Sequence, residues 1–267
     1  VGSYMHEHKV SAFFECCLRR IGTIRSRQQQ EEAISYLAGF MNHYIADSIC
    51  HPYVYGRIGY PVDAPTSMHH GMHAHLENEL DAILLWKYKK KKPSEFNQTA
   101  TICLNGQEIQ FISHFLASCI NETYYPITYR NNFQVTPAMV HRSIWALRFG
   151  CRTLSDKTGK KKFGIAQVES IFVNHPVASA KMVTDSVTDY RSSCNLNHEA
   201  WSNPWDPTRV STASFVDLFH ETLDKCSRVY ELLNSAVTDN VPLDKQDLSP
   251  LLTELGNESY HSGLPVD

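Results

Sequence analysis

The stretch YLAGFMNHYIADSICHPYV, residues Tyr36–Val54, decides the fold. It is apolar almost throughout, yet it carries His43, Asp47 and His51 at steps of four. At about 100° per residue these three side chains fall within about 80° of one another on a helix. Ile34, Leu37, Met41 and Ile45 take the opposite side, while Tyr36 and Phe40 share the side of the polar stripe. A helix that is apolar all round is normally buried, so the pattern predicts a buried stripe. A buried carboxylate without a partner is costly. A divalent cation would compensate it, because neutral imidazole and carboxylate are its natural ligands.

Working outward, Arg27–Tyr53 reads as one long helix, and Pro52 is expected to stop it at His51 by restricting the preceding residue. Ser67–Lys92 reads as another helix and repeats the device, with His73 and Glu77 four apart, His69 one turn before and Asp81 one turn after. Two helices that each present imidazole and carboxylate on one stripe can face each other around metal in a bundle core. His6 opens a further helical pattern, His6–Gly22, and can add a ligand. The candidate metal ligands are therefore His6, His43, Asp47, His51, His73 and Glu77. These exceed the needs of one tetrahedral zinc, which points to two or more ions bridged by carboxylate. One such pair alone is unspecific, since His and Asp at this spacing often form an ordinary ion pair. The case rests on the third member and the second stripe. Eight of the fourteen histidines fall in the first 75 residues. Of these, His8, His70 and His75 read as outer or solvent groups, and His114, His141, His175 and His220, further on, as structural.

Beyond the stripes, Ile112–Tyr125, Thr136–Leu154 and Thr212–Val237 read as helices, the last capped by Ser211 or Thr212. Gly56–Ser67 is a Gly- and Pro-rich loop, Pro93–Gln110 has only a weak pattern, and Ser155–Gly164 reads as an exposed connection. Asn195–Ser211 reads as irregular, with Pro204 and Pro207, and the residues after Leu251 as a polar, frayed tail. The expected architecture is all-α: a single-domain helical bundle over residues 1–250, then a tail over 251–267, with the metal site between core helices.

Composition narrows the classes. Of 267 residues, 42% are hydrophobic and 11% aromatic, enough for a real core, and the net charge of −3 does not favour nucleic acid as a partner. No apolar run reaches the ~18 residues of a membrane span. Eight cysteines without a C-x-x-C pair read as reduced thiols, which favours a cytoplasmic location. Secretion is the alternative, because a start at Val1 without Met fits a missing natural N-terminus. The lysine runs Lys87–Lys92 and Lys157–Lys162 read first as solvated cations, with transient contact to an anionic membrane surface as the lesser reading. Trp201 and Trp205 read as core or capping residues ahead of a lipid-facing wall.

GSYMHEHKVSAFFE, GFMNHYIADSICHPYV and HAHLENELD resemble segments of zinc-dependent phospholipase C proteins, specifically bacterial relatives of the phosphatidylcholine-hydrolysing enzyme. LNHEAWSNP, Leu196–Pro204, is similar to a late segment of those relatives. The resemblance implies an all-α fold and a trinuclear zinc centre between helices, and the expected cofactor is zinc, two or three ions. It implies that His6 and His43 hold one zinc, that Asp47 sits at the heart of the cluster, and that His51, His73 and Glu77 serve a neighbouring ion. It also implies ligands upstream of the segment that matches His6, so the chain is expected to lack an N-terminal portion.

The activity implied is phosphodiester hydrolysis of a phospholipid to diacylglycerol and a phosphorylated head group, with metal-bound water as nucleophile and no side chain assigned as base. Two alternatives stand beside it: a zinc nuclease-like phosphodiesterase, and a metal-binding domain without activity. No adjacent His-Asp pair supports a phosphohydrolase of the HD type, and the paired E-x-x-H motifs of di-iron bundles are lacking. No obligate protein partner is evident.

Overall fold

A computed structural model describes residues 1–128, 132–187 and 189–267. In chain order its helices are α1 (Gly2–Met5), α2 (Val10–Gly22), α3 (Arg27–Arg57), α4 (Ser67–Leu84), α5 (Gly106–Tyr124), α6 (Pro137–Leu154), α7 (Lys160–Phe172), α8 (Tyr190–Ser193), α9 (Phe215–Thr238) and α10 (Ser249–Leu255). The chain is all-α; β1 (Trp201–Asn203) and β2 (Asp206–Ser211) pair antiparallel as the one small sheet among the described residues. No helix among those residues is long and apolar enough to cross a membrane. Two compact units emerge. The first joins Val1–His51, Leu104–Trp145 and Phe219–Asp267; the second joins Pro52–Cys103 and Ala146–Leu218.

In the first unit, α2 buries Val10, Phe13, Phe14, Cys17, Leu18 and Ile21, the three-and-four spacing of one helix face. Against them α3 sets Ala33, Leu37, Met41, Tyr44 and Ile45, all fully buried. The predicted apolar side of α3 is thus the core side, and Tyr36 and Phe40 pack at its margin. Helix α5 starts earlier than periodicity suggests, at Gly106. Asn105 accepts from the backbone of Gln107 and Glu108, and Glu108 accepts from that of Asn105, a reciprocal cap written in N-x-x-E.

The segment after Leu251 is not frayed. Leu251, Leu255 and Tyr260 belong to the core of this unit. The Tyr44 hydroxyl donates to the Glu258 carboxylate at 2.6 Å and accepts from the Glu258 amide at 2.9 Å. Lys9 N–H donates to the carbonyl of Asp267, which ties in the last residue. Nor does a long helix open at His6. That residue ends α1, and a left-handed Lys9 separates it from α2.

In the second unit, α3 does not stop at Pro52 but runs on to Arg57. A proline inside a helix costs about 3 kcal/mol. Beyond it Tyr53, Val54 and Tyr55 are buried, each worth roughly 1.5–3 kcal/mol, and the Tyr53 hydroxyl donates to the Ser193 carbonyl. Burial outweighs the missing N–H. Helix α4 ends at Leu84 and passes into a π-turn, Leu85–Lys89, short of the predicted Lys92. The expected connection Ser155–Gly164 holds the start of α7, which no apolar period announced. Its inward face is anchored by polar groups: Asp156 accepts from Lys162 N–H, and Glu169 accepts from Ser179 N–H. The predicted cap of α9 also moves, because Ser214 and Asp217 bond reciprocally. The irregular segment contains the β1–β2 hairpin, pinned where Trp201 Nε1–H donates to the Ala213 carbonyl.

Candidate metal centre

The two stripes are helical, as predicted, but neither lies deep in a core. On α3, the His43 side chain is 52% exposed, Asp47 17% and His51 13%. The expectation of a buried stripe is corrected to one that borders solvent at its N-terminal end. Asp47 stands between the two imidazoles: its Oδ2 is 3.4 Å from His43 Nε2 and 3.8 Å from His51 Nδ1. The second ring is further fixed by the chain's C-terminal segment, since His51 Nδ1 lies 2.7 Å from the Tyr260 carbonyl. A carbonyl only accepts, so Nδ1 carries the proton and Nε2 presents the lone pair.

His6 joins this group from the turn after α1. Its ring centre is 6.4 Å from that of His43 and 5.1 Å from that of His261, and His261 lies 5.9 Å from His51. Tyr260 stacks on His6 at 4.4 Å. Burial, then the nearby imidazoles of His261, His43 and His51, push the pKa of His6 down to about 4. The ring is neutral at pH 7, the form that ligates. Sequence reasoning missed His261, whose only signal is that it is one more imidazole in a segment read as tail.

On α4, His73 Nε2 is 3.0 Å from Glu77 Oε1. Gly71 lets this helix approach its neighbour, for a Cβ there would run into the Pro176 carbonyl. The wall beside His73 is aromatic: Tyr55 lies 4.5 Å from its ring, with Tyr60 and Trp205 4.6 and 4.9 Å from Tyr55. Trp205 thus keeps the packing role expected of it, beside a candidate ligand. The other α4 histidines serve differently. His69 Nδ1 accepts from the Thr66 backbone at 3.2 Å and caps the helix, and His75 lies 3.7 Å from Glu79, which is itself bonded to Ser193.

In the first unit His6, His43, Asp47, His51 and His261 form one run of neighbouring contacts, and in the second unit His73 and Glu77 form a pair.

A family model described as zinc dependent phospholipase C matches residues 2–129, the stretch that contains all six predicted ligands. No curated protein and no solved structure matches the chain. The residues fit the ion that this description implies. Donors are imidazole nitrogen and carboxylate oxygen, as zinc prefers. His6 Nδ1 is buried without a hydrogen-bond partner, an orphaned nitrogen that a cation would satisfy.

Proposed function

We propose, from the match of residues 2–129 to the zinc-dependent phospholipase C family, that the protein hydrolyses a phospholipid by C-type cleavage, releasing diacylglycerol and a phosphorylated head group. The observation that carries this reading is the gathering of His6, His43, Asp47 and His51 within the first unit and inside the family-matched stretch. On this proposal the six predicted ligands, His6, His43, Asp47, His51, His73 and Glu77, would hold two or three zinc ions. Zinc supplies an activated water and positive charge for the phosphoryl oxygens when bound. The chain's own residues do the rest. Asp47, between two imidazoles, orients both rings and offsets positive charge. The Tyr260 carbonyl holds the His51 tautomer. Tyr55, Tyr60 and Trp205 form an apolar flank to His73 that limits water on that side. No side chain is assigned as general base. That residues 1–250 work as one domain is part of the same reading.

A phospholipid substrate must be met at a lipid surface. Helix α7 exposes Phe163, Ile171 and Phe172 beside Lys157 and Lys160, a combination suited to transient contact with anionic lipid. The test is an assay of the zinc-loaded chain on choline phospholipid vesicles and, in parallel, on single-stranded nucleic acid. Diacylglycerol and a phosphorylated head group are expected, lost on chelation and restored by zinc. Equal activity after chelation, or cleavage of nucleic acid alone, overturns the proposal.

A further inference from the structure

We infer that the C-terminal segment is a working part of the metal centre and that His261 is a further imidazole ligand beside His6. This rests on the zinc reading above and adds to it a residue far outside the family-matched stretch.

The segment is fastened to the candidate ligands themselves. Tyr260 N–H donates to the His6 carbonyl at 3.0 Å, its ring stacks on the His6 imidazole, and its own carbonyl accepts from His51 Nδ1. One residue therefore touches two predicted ligands from two separate segments. The next residue is His261. Its backbone is held in a tight turn, with the amides of His261 and Ser262 donating to Ser259 Oγ. The anchor behind that turn is the paired contact of Tyr44 with Glu258. A tail that only needed to cover the core would be served by Leu251, Leu255 and Tyr260. It would not need to set a further imidazole 5.1 Å from His6 and 5.9 Å from His51.

That spacing is informative. With zinc–nitrogen bonds of about 2.1 Å, two imidazoles on one tetrahedral ion have ring centres roughly 5 Å apart. His6 and His261 meet that separation at 5.1 Å with rings inclined at 63°. His6 also has the buried, unpartnered Nδ1. Clustering imidazoles with no ion among them gains little, since protonation of one disfavours protonation of its neighbours. Gathered around a zinc, the same rings act as neutral ligands.

The experiment uses the full chain, loaded with zinc and dialysed. Zinc per chain and zinc affinity are measured for wild type, His261→Ala, His43→Ala and His114→Ala, the last on an exposed face of α5 as control. His261→Ala is expected to release its most weakly held zinc at least about tenfold more readily than wild type, and His114→Ala to match wild type. His261→Cys with cobalt in place of zinc gives a second readout that does not depend on the alanine variant folding. A thiolate-to-cobalt charge-transfer band, absent from the wild-type cobalt protein, is expected. Wild-type zinc retention in His261→Ala, or no new band in His261→Cys, overturns the inference. If His43→Ala loses zinc while His261→Ala does not, only the role of His261 fails. If wild type holds no zinc at all, the metal reading itself fails.

Discussion

Helices α3 and α4 carry the same device, imidazole followed four residues later by carboxylate, and place it in opposite company. On α3 one carboxylate, Asp47, stands between two imidazoles at 3.4 and 3.8 Å, with the rings of His6 and His261 nearby. On α4 one carboxylate, Glu77, faces one imidazole at 3.0 Å, and the ring against that imidazole is Tyr55, which in turn packs on Trp205. Equal spacing along a helix therefore does not mean equal roles. On the proposed zinc reading Asp47 would serve more than one ligand ring, whereas Glu77 would act beside a single imidazole and an aromatic wall.

The largest expected effects test that asymmetry. Asp47→Asn keeps the shape and removes the charge that two imidazoles share. It is expected to lower kcat/KM by more than the roughly 100-fold that loss of an outer partner to a ligand costs, and to lower zinc content by more than one ion. Glu77→Gln is expected to release one zinc and to leave the rest. Equal losses of zinc in the two variants would break the comparison.

The same substitution at two glycines separates the helices by sign. Gly71 on α4 faces the Pro176 carbonyl, so Gly71→Ala forces backbone apart and is expected to cost about 1–3 kcal/mol, seen as a fall in Tm. Gly39 on α3 has open space where a Cβ would go, so Gly39→Ala is expected to stabilise by about 0.5–1 kcal/mol. A loss at both positions would mean that α3 is as closely pressed as α4.

The imidazole cluster beside α3 has a pH dependence of its own. His6 is held near 4, below its ordinary 6.5, first by burial and then by the surrounding imidazoles. The unfolded chain takes up a proton on His6 before the folded chain does. The contribution of His6 to the stability of the zinc-free protein is therefore full above about pH 6.5 and falls as pH drops towards 4. Urea unfolding across that window is expected to show the fall, and His6→Gln to make it shallower. An unchanged slope would remove His6 from the cluster.

Most of this centre was legible in the sequence because helical spacing is local. His43, Asp47, His51, His73 and Glu77 each have a partner four residues away, and the family-like segments fall on the same positions. His261 was not legible, since a single imidazole in a short polar stretch has no period, and its place is set by Tyr44 gripping Glu258 across 214 residues of chain. The burial of the stripe was misjudged for a related reason. Apolar residues around α3 say that the helix is covered somewhere, and His43 lies where the cover ends. Pro52 misled because its local cost is fixed while the gain from Tyr53 and Tyr55 is tertiary. Helix α7 escaped notice because polar contacts rather than an apolar face hold it.

The smallest expected effect separates two imidazoles that look alike in sequence. His69 and His51 each use Nδ1 in a short contact, but with opposite polarity. His51 Nδ1 faces a carbonyl, so it donates, and the neutral ring carries its proton on Nδ1 and its lone pair on Nε2. His69 Nδ1 accepts from Thr66 N–H at 3.2 Å, and the Thr66 hydroxyl lies 2.9 Å away. A neutral ring that accepts at Nδ1 carries its proton on Nε2 and offers no lone pair to an ion. His69→Ala is therefore expected to leave zinc content unchanged and to cost at most about 1 kcal/mol, the price of a lost helix cap. Both are read from metal analysis and thermal unfolding of the same preparation. Zinc loss in this variant would mean that the α4 stripe begins one turn earlier than His73, and that its company is less different from that of α3 than the distances indicate.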